Sequence, residues 1–134
     1  MQSPKRILLI DDDATTIFLT QRLLKRFAIE VEVLTAAHGQ EALAIVRAVC
    51  EQEQCPELIF LDINMPIMDG FEFLEQLQKS ANLSKAAIKI ILVSSSTHQL
   101  DLAKAKQYPL IGYIEKPLTS EKLSEFLQLN SAGN

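Results

Sequence analysis

Four short runs rich in apolar residues, each broken off by a polar or charged residue, constrain what this chain can fold into. Ile7–Ile10 stops at Asp11, Leu58–Leu61 at Asp62, Ile88–Val93 at Ser94 and Leu110–Ile114 at Glu115. Continuous apolar runs of this length mark strands buried on both faces, the habit of parallel sheets. Val31–Ala36, rich in β-branched residues, reads as a further strand, the second in chain order. The segments between them carry helical period. Ile17, Leu24 and Phe27 share one stripe over Ala14–Phe27, with Leu23 beside it, Thr20 as its polar break and Asp13 as a cap. Leu43, Val46 and Cys50 repeat over Gln40 to about Glu53. Phe71, Leu74 and Leu77 repeat over Gly70–Ser80, and Leu123, Phe126 and Leu127 over Thr119–Leu129. Gln99–Gln107 is a weaker helix, with Leu100, Ala103 and Lys104 in place of a full stripe. The order is strand then helix, five times over. It predicts an α/β fold: a (βα)5 doubly wound parallel sheet with right-handed crossovers and helices on both faces, three layers in all.

Size and charge agree with that architecture. A length of 134 residues suits one domain, and 48% hydrophobic against 22% charged residues excludes a disordered chain. Thirteen basic against 17 acidic side chains leave a net charge of −4, which offers no broad footprint for nucleic acid. No apolar run approaches the length of a membrane span, and the acidic stop at Asp11–Asp13 is foreign to a signal peptide. Cys50 and Cys55 are too few for a disulfide framework or a zinc quartet. The expectation is a single cytoplasmic domain.

In doubly wound sheets, ligands bind beyond the carboxyl ends of the strands. Those ends carry Asp11, Asp12 and Asp13 after the first strand, and Asp62, Ile63 and Asn64 after the third. Ser94 and Ser95 follow the fourth, and Glu115, Lys116 and Pro117 the fifth. Only Ala37 and His38 follow the second. Taken singly, each has an ordinary use: an Asp run caps a helix, Asp-Ile-Asn-Met-Pro makes a turn, and a serine or lysine decorates a surface. Together at one edge they have chemical meaning. Clustered carboxylates repel one another, and a hard divalent cation such as magnesium relieves the repulsion. A carboxylate such as Asp62 can act as a nucleophile and form an aspartyl phosphate. Lys116 and the Ser94 hydroxyl would then stabilise phosphoryl oxygens.

With those residues in hand, the chain resembles the receiver domain of two-component response regulators over nearly its whole length. Ile7–Asp13 resembles the family's first strand and acidic pair. Leu58–Pro66 with Met68-Asp69-Gly70 resembles its phosphoacceptor segment, Val93-Ser94-Ser95 its hydroxyl position, and Gly112–Pro117 its closing Lys-Pro segment. The resemblance implies a flavodoxin-like strand order 2-1-3-4-5. It implies Asp62 as phosphoacceptor and a Mg2+ ion held by Asp12, Asp11, Asp62 and the Asn64 carbonyl. It also implies Ser94 and Lys116 on the phosphoryl group, a cis bond before Pro117, and a switch made of Ser94 and Tyr113. The output face would be the fourth predicted helix, the fifth strand and the fifth predicted helix. The implied donors are a sensor histidine kinase or a histidine phosphotransfer protein, and the target is an unspecified protein. Such a domain assists its own phosphorylation and dephosphorylation without being an enzyme in the usual sense. The expected state is a monomer or weak dimer, without an output domain and without nucleic-acid or membrane partners.

Several positions depart from the family. Ser94 stands where threonine is commoner, and Tyr108-Pro109-Leu110 replaces a Gly-Ala turn, which leaves the end of the fourth predicted helix open. Arg47–Glu57 is longer than usual, and Cys50 and Cys55 within it are expected to be ordinary thiols. His38 and His98 are expected to be surface or capping residues. Ser131–Asn134 is expected to be a frayed tail. Ser96 and Asn64 are expected to tune the lifetime of a phosphorylated state. Two other readings stay open. Ile7–Thr15 also fits the haloacid dehalogenase phosphatase signature with Asp11 as nucleophile, although no Asp pair follows Lys116 and there is no room for a substrate cap. A pseudo-receiver that binds partners without phosphorylation is the third.

Overall fold

The computed structural model describes residues 4–27, 30–84, 86–95 and 99–131. The elements in order are β1 (Arg6–Ile10), α1 (Ala14–Phe27), β2 (Glu32–Ala36), α2 (Gly39–Glu51), β3 (Leu58–Leu61), α3 (Gly70–Lys79), α4 (Ala81–Ser84), β4 (Lys89–Ser94), α5 (Gln99–Ala105), β5 (Gly112–Glu115) and α6 (Ser120–Ser131). The strands form one five-stranded sheet in the order β2-β1-β3-β4-β5. Every neighbouring pair is parallel.

The continuous apolar runs divide between the two faces by the two-residue period of a strand. Leu8, Ile10, Ile59, Leu61, Ile90 and Leu92 join Leu43 and Val46 of α2 and Phe71, Phe73 and Leu74 of α3 in one buried cluster. Ile7, Leu9, Leu58, Phe60, Ile91, Val93 and Ile114 join Leu24 of α1 and Leu123 of α6 in the other. Each such aliphatic side chain contributes about 1.5–3 kcal/mol by leaving water, so the runs that make the strands also hold both helical layers.

Local differences from the sequence reading have local causes. The short helix α4 was not expected; four residues are too few for a periodic signal. β5 starts two residues later than predicted and ends one later, because Leu110 N–H closes a tight turn onto the Tyr108 carbonyl at 2.8 Å. α5 ends at Ala105, short of Gln107, and Tyr108 beyond it stacks on Phe71 with ring centroids 6.2 Å apart. Phe27 lies outside the core at 37% exposure, whereas the polar Thr20 is buried. The Thr20 hydroxyl is satisfied by donating to the Thr16 carbonyl at 2.8 Å. Cys50 and Cys55 are not free thiols as expected. They are bonded to each other, because the chain reverses after α2 and brings their Cα atoms to 4.3 Å. His38 caps α2, its ring nitrogen accepting from Glu41 N–H at 3.2 Å. His98, Ser96 and 132–134 lie outside the described residues, as does the Leu127 side chain. No helix among the described residues is long and apolar enough to cross a membrane.

Candidate functional site

Register builds the site. Ile10 is paired with Leu61, so Asp11 and Asp62 emerge side by side at the carboxyl edge. Asp62 N–H donates to the Ile10 carbonyl at 2.9 Å, and Asp11 N–H to the Ala36 carbonyl at 3.0 Å. Ser94, the last residue of β4, is paired with Glu115, and its carbonyl accepts from Lys116 N–H at 2.8 Å. The backbone thus delivers an acidic pair, a hydroxyl and an ammonium to one place from four parts of the sequence. The Lys116–Pro117 peptide bond is cis.

Asp11 and Asp62 are 7% and 6% exposed, and Ser94 is fully buried. Lys116 Nζ donates to Asp11 Oδ2 at 2.8 Å and lies 3.6 Å from Asp62 Oδ1. The remaining bonds orient the carboxylates: Asp13 N–H donates to Asp11 Oδ1, and Ile63 N–H to Asp62 Oδ1, both at 2.9 Å. Asp12 is exposed at the mouth. One carboxylate oxygen each from Asp11, Asp12 and Asp62 falls within 4.8 Å of the others. Two nearly buried carboxylates with a third exposed at the mouth suit a hard cation that keeps some of its waters.

The electrostatics follow from crowding. Burial, then the Asp11 charge, pushes the Asp62 carboxyl up to about 6, with Lys116 and the Ile63 N–H pulling the other way. Burial alone would lower Lys116, but its bond to Asp11 and the charge of Asp62 outweigh it and raise it. Asp13, exposed, is held below the usual carboxylate range by Thr15 N–H and caps α1.

Asn64 is exposed on the loop after Asp62. Tyr113, half-buried on β5, shares a side-chain hydrogen bond with Ser94; burial raises its phenol and that bond opposes the rise. The loop from Asp62 to Gly70 is shaped by three features whose structural roles the sequence reading did not give, although it placed Met68-Asp69-Gly70 in the phosphoacceptor segment. Ile67, 71% exposed, sits at φ 70, and Met68 N–H closes onto the Pro66 carbonyl at 2.7 Å, a γ-turn in a conformation that L residues seldom adopt. A Cβ on Gly70 would lie 2.4 Å from the Asp62 carbonyl oxygen, so only glycine lets α3 start this close to Asp62. Asp69 and Glu72 form a reciprocal capping box at the head of α3. Its signal, Asp with Glu three residues on, is visible in the sequence; the clash at Gly70 is not.

A model of the response regulator receiver domain family matches residues 7–128. Protein PilH of Pseudomonas aeruginosa is 30% identical over 128 residues, spanning 96% of this chain and 98% of PilH. Response regulator Rcp1 of Synechocystis is 28% identical over 127 residues, spanning 93% of this chain and 85% of Rcp1. Among solved structures, a two-component response regulator from Cytophaga hutchinsonii superposes with a TM-score of 0.86 at 27% identity, covering 99% of this chain and 100% of that one. The Mn2+-bound form of Rcp1 superposes with a TM-score of 0.74 at 28% identity, over 93% of this chain and 90% of that one. With this fold, this acidic edge and a family match over nearly its full length, the chain belongs to the response regulator receiver domain family.

Proposed function

We propose that this receiver takes a phosphoryl group on Asp62 and passes the event to a protein target through the face made by α5, β5 and α6. The observation that carries the reading is the buried Asp62 carboxylate at the strand edge, between two further carboxylates and the Lys116 ammonium. An Asp62 oxygen would attack the phosphorus of a phosphohistidine on a sensor kinase or phosphotransfer protein. The O–P bond forms as the N–P bond breaks, and the departing imidazole takes up a proton. Lys116 and the Ser94 hydroxyl would face the incoming oxygens, supplying the fixed charge and hydrogen bond that phosphoryl transfer requires. Asp11, Asp12, Asp62 and the Asn64 carbonyl would hold Mg2+, which when bound neutralises charge on the phosphoryl oxygens. The reading implies the cytoplasm, where ATP supplies the phosphoryl groups.

The proposed switch follows from the Ser94–Tyr113 contact. A phosphoryl group brings about −1.5 to −2 charge and three acceptor oxygens to Asp62. Drawn toward them, Ser94 would change its bond to Tyr113, and with it the surface beside β5, as a shift between existing populations. Asp11 is the poorer nucleophile, since Lys116 and Asp13 N–H already engage its oxygens. The test is intact mass after incubation with acetyl phosphate and Mg2+. One phosphoryl group, absent in Asp62→Asn and in chelator, supports the proposal. No adduct on folded protein overturns it, and an adduct lost in Asp11→Asn but kept in Asp62→Asn transfers the role to Asp11.

A further inference from the structure

Cys50 and Cys55 sit at the amino edge of the sheet, before β3, opposite the edge that carries Asp62. The backbone brings them together. Gln54 N–H donates to the Val49 carbonyl at 2.8 Å, Glu53 N–H to Cys50 at 3.0 Å and Gln52 N–H to Val49 at 3.1 Å. These bonds make a Schellman closure of α2, with Glu53 at φ 58 in the left-handed position usually given to glycine. Beyond it, Pro56 restricts Cys55 to extended backbone. Glu57 N–H then ties the segment to the Arg6 carbonyl at 3.0 Å. Main-chain bonds therefore hold the two cysteines together on both sides, alongside the bond between their sulfurs. Both are half-buried, within reach of small thiols.

We propose that Cys50 and Cys55 form a reversible thiol–disulfide site that exchanges with low-molecular-weight thiols and disulfides. On oxidation, one cysteine thiolate attacks a small disulfide, forming a mixed disulfide and releasing one thiol. The second cysteine thiolate then displaces the other thiol and closes the protein disulfide. The pair loses two electrons and two protons, and the small disulfide becomes two thiols; excess thiol runs the steps backwards. The site rests on the cytoplasmic location proposed above, where disulfides are usually transient or redox-sensing, and a pair bracketed by main-chain bonds suits such exchange. The proposal does not depend on phosphorylation of Asp62.

The full chain is equilibrated across glutathione buffers from reduced to oxidised, blocked with N-ethylmaleimide and weighed intact. The expected result is exchange between a doubly blocked and an unblocked monomer, while Cys50→Ser and Cys55→Ser each carry a single glutathione or maleimide. Glu53→Val, which disfavours the left-handed turn, is expected to shift the balance about fivefold toward the dithiol. Two maleimides at every ratio, two glutathiones on one chain, disulfide-linked dimers, or a disulfide that survives reduced glutathione would each overturn it. An unmoved midpoint in Glu53→Val would overturn the role given to the turn.

Discussion

Lys116 is bonded to Asp11, 105 residues away in sequence, at 2.8 Å. Asp62 receives a looser share of the same ammonium at 3.6 Å. A single cation therefore serves two nearly buried carboxylates, and the one proposed as nucleophile is the less tightly paired.

Lys116→Met tests that sharing. Asp11 would lose its partner in a site with little access to water, and Asp62 would lose the charge that restrains its rise. Stability at pH 7 is expected to fall by about 1–3 kcal/mol in urea unfolding. The Asp62 carboxyl, followed by NMR titration, is expected to move above its present value of about 6. An unmoved titration would show that the ammonium does not reach Asp62.

The pH dependence has a definite sign. Asp62 titrates at about 6 in the fold, above the 3.8 of an ordinary aspartate. Its neutral form is favoured by folding, so its contribution is fully present below pH 3.8 and is lost as pH rises through about 6. In chelator, Asp62→Asn is expected to gain about 1–3 kcal/mol at pH 8, with the gain fading as the solution is acidified. A gain that is equal at pH 4 and pH 8 would contradict the assignment. At the proposed Mg2+ site, protons and the cation would compete for the same oxygens, so Mg2+ affinity is expected to weaken below about pH 6.

Gly70→Ala would force a methyl group to within 2.4 Å of the Asp62 carbonyl oxygen and 3.0 Å of the Ile63 Cα. Backbone cannot swing aside as a side chain can. The expected cost is about 1–3 kcal/mol in denaturant unfolding. A slower reaction with acetyl phosphate should accompany it, because α3 and the Asp62 backbone must separate. Wild-type stability and rate together would contradict the close approach.

Tyr113→Ala removes the ring and its bond to Ser94. Phosphorylation of Asp62 is expected to change little, and binding to a protein target to change more. Phosphorylation rates and pull-down affinities, measured side by side, decide it; equal losses would remove Tyr113 from the switch.

Some of this was legible in the residues themselves. β1, β3 and β4 read directly, because a strand covered on both faces is apolar between its ends. The helices α1, α2 and α3 read from their stripes, and the edge cluster from the polar residues that end each apolar run. The boundaries of α5 and β5 did not read, because Leu100 is exposed and the Tyr108–Leu110 turn is apolar. Asp69 and Glu72 carried a readable cap that the helical stripe overshadowed.

Periodicity and the residues at the strand ends, both local properties of the chain, determined the layers, the strands and the cluster of Asp11, Asp12, Asp62, Ser94 and Lys116. Tertiary structure decided how that cluster is wired: Lys116 to Asp11 before Asp62, Gly70 against the Asp62 carbonyl, and Ser94 with Tyr113. It also joined Cys50 to Cys55 through a left-handed Glu53 that no propensity favours. The division has a physical origin. Burial patterns are written residue by residue, whereas distances between distant groups exist only once register and helix termini have set them.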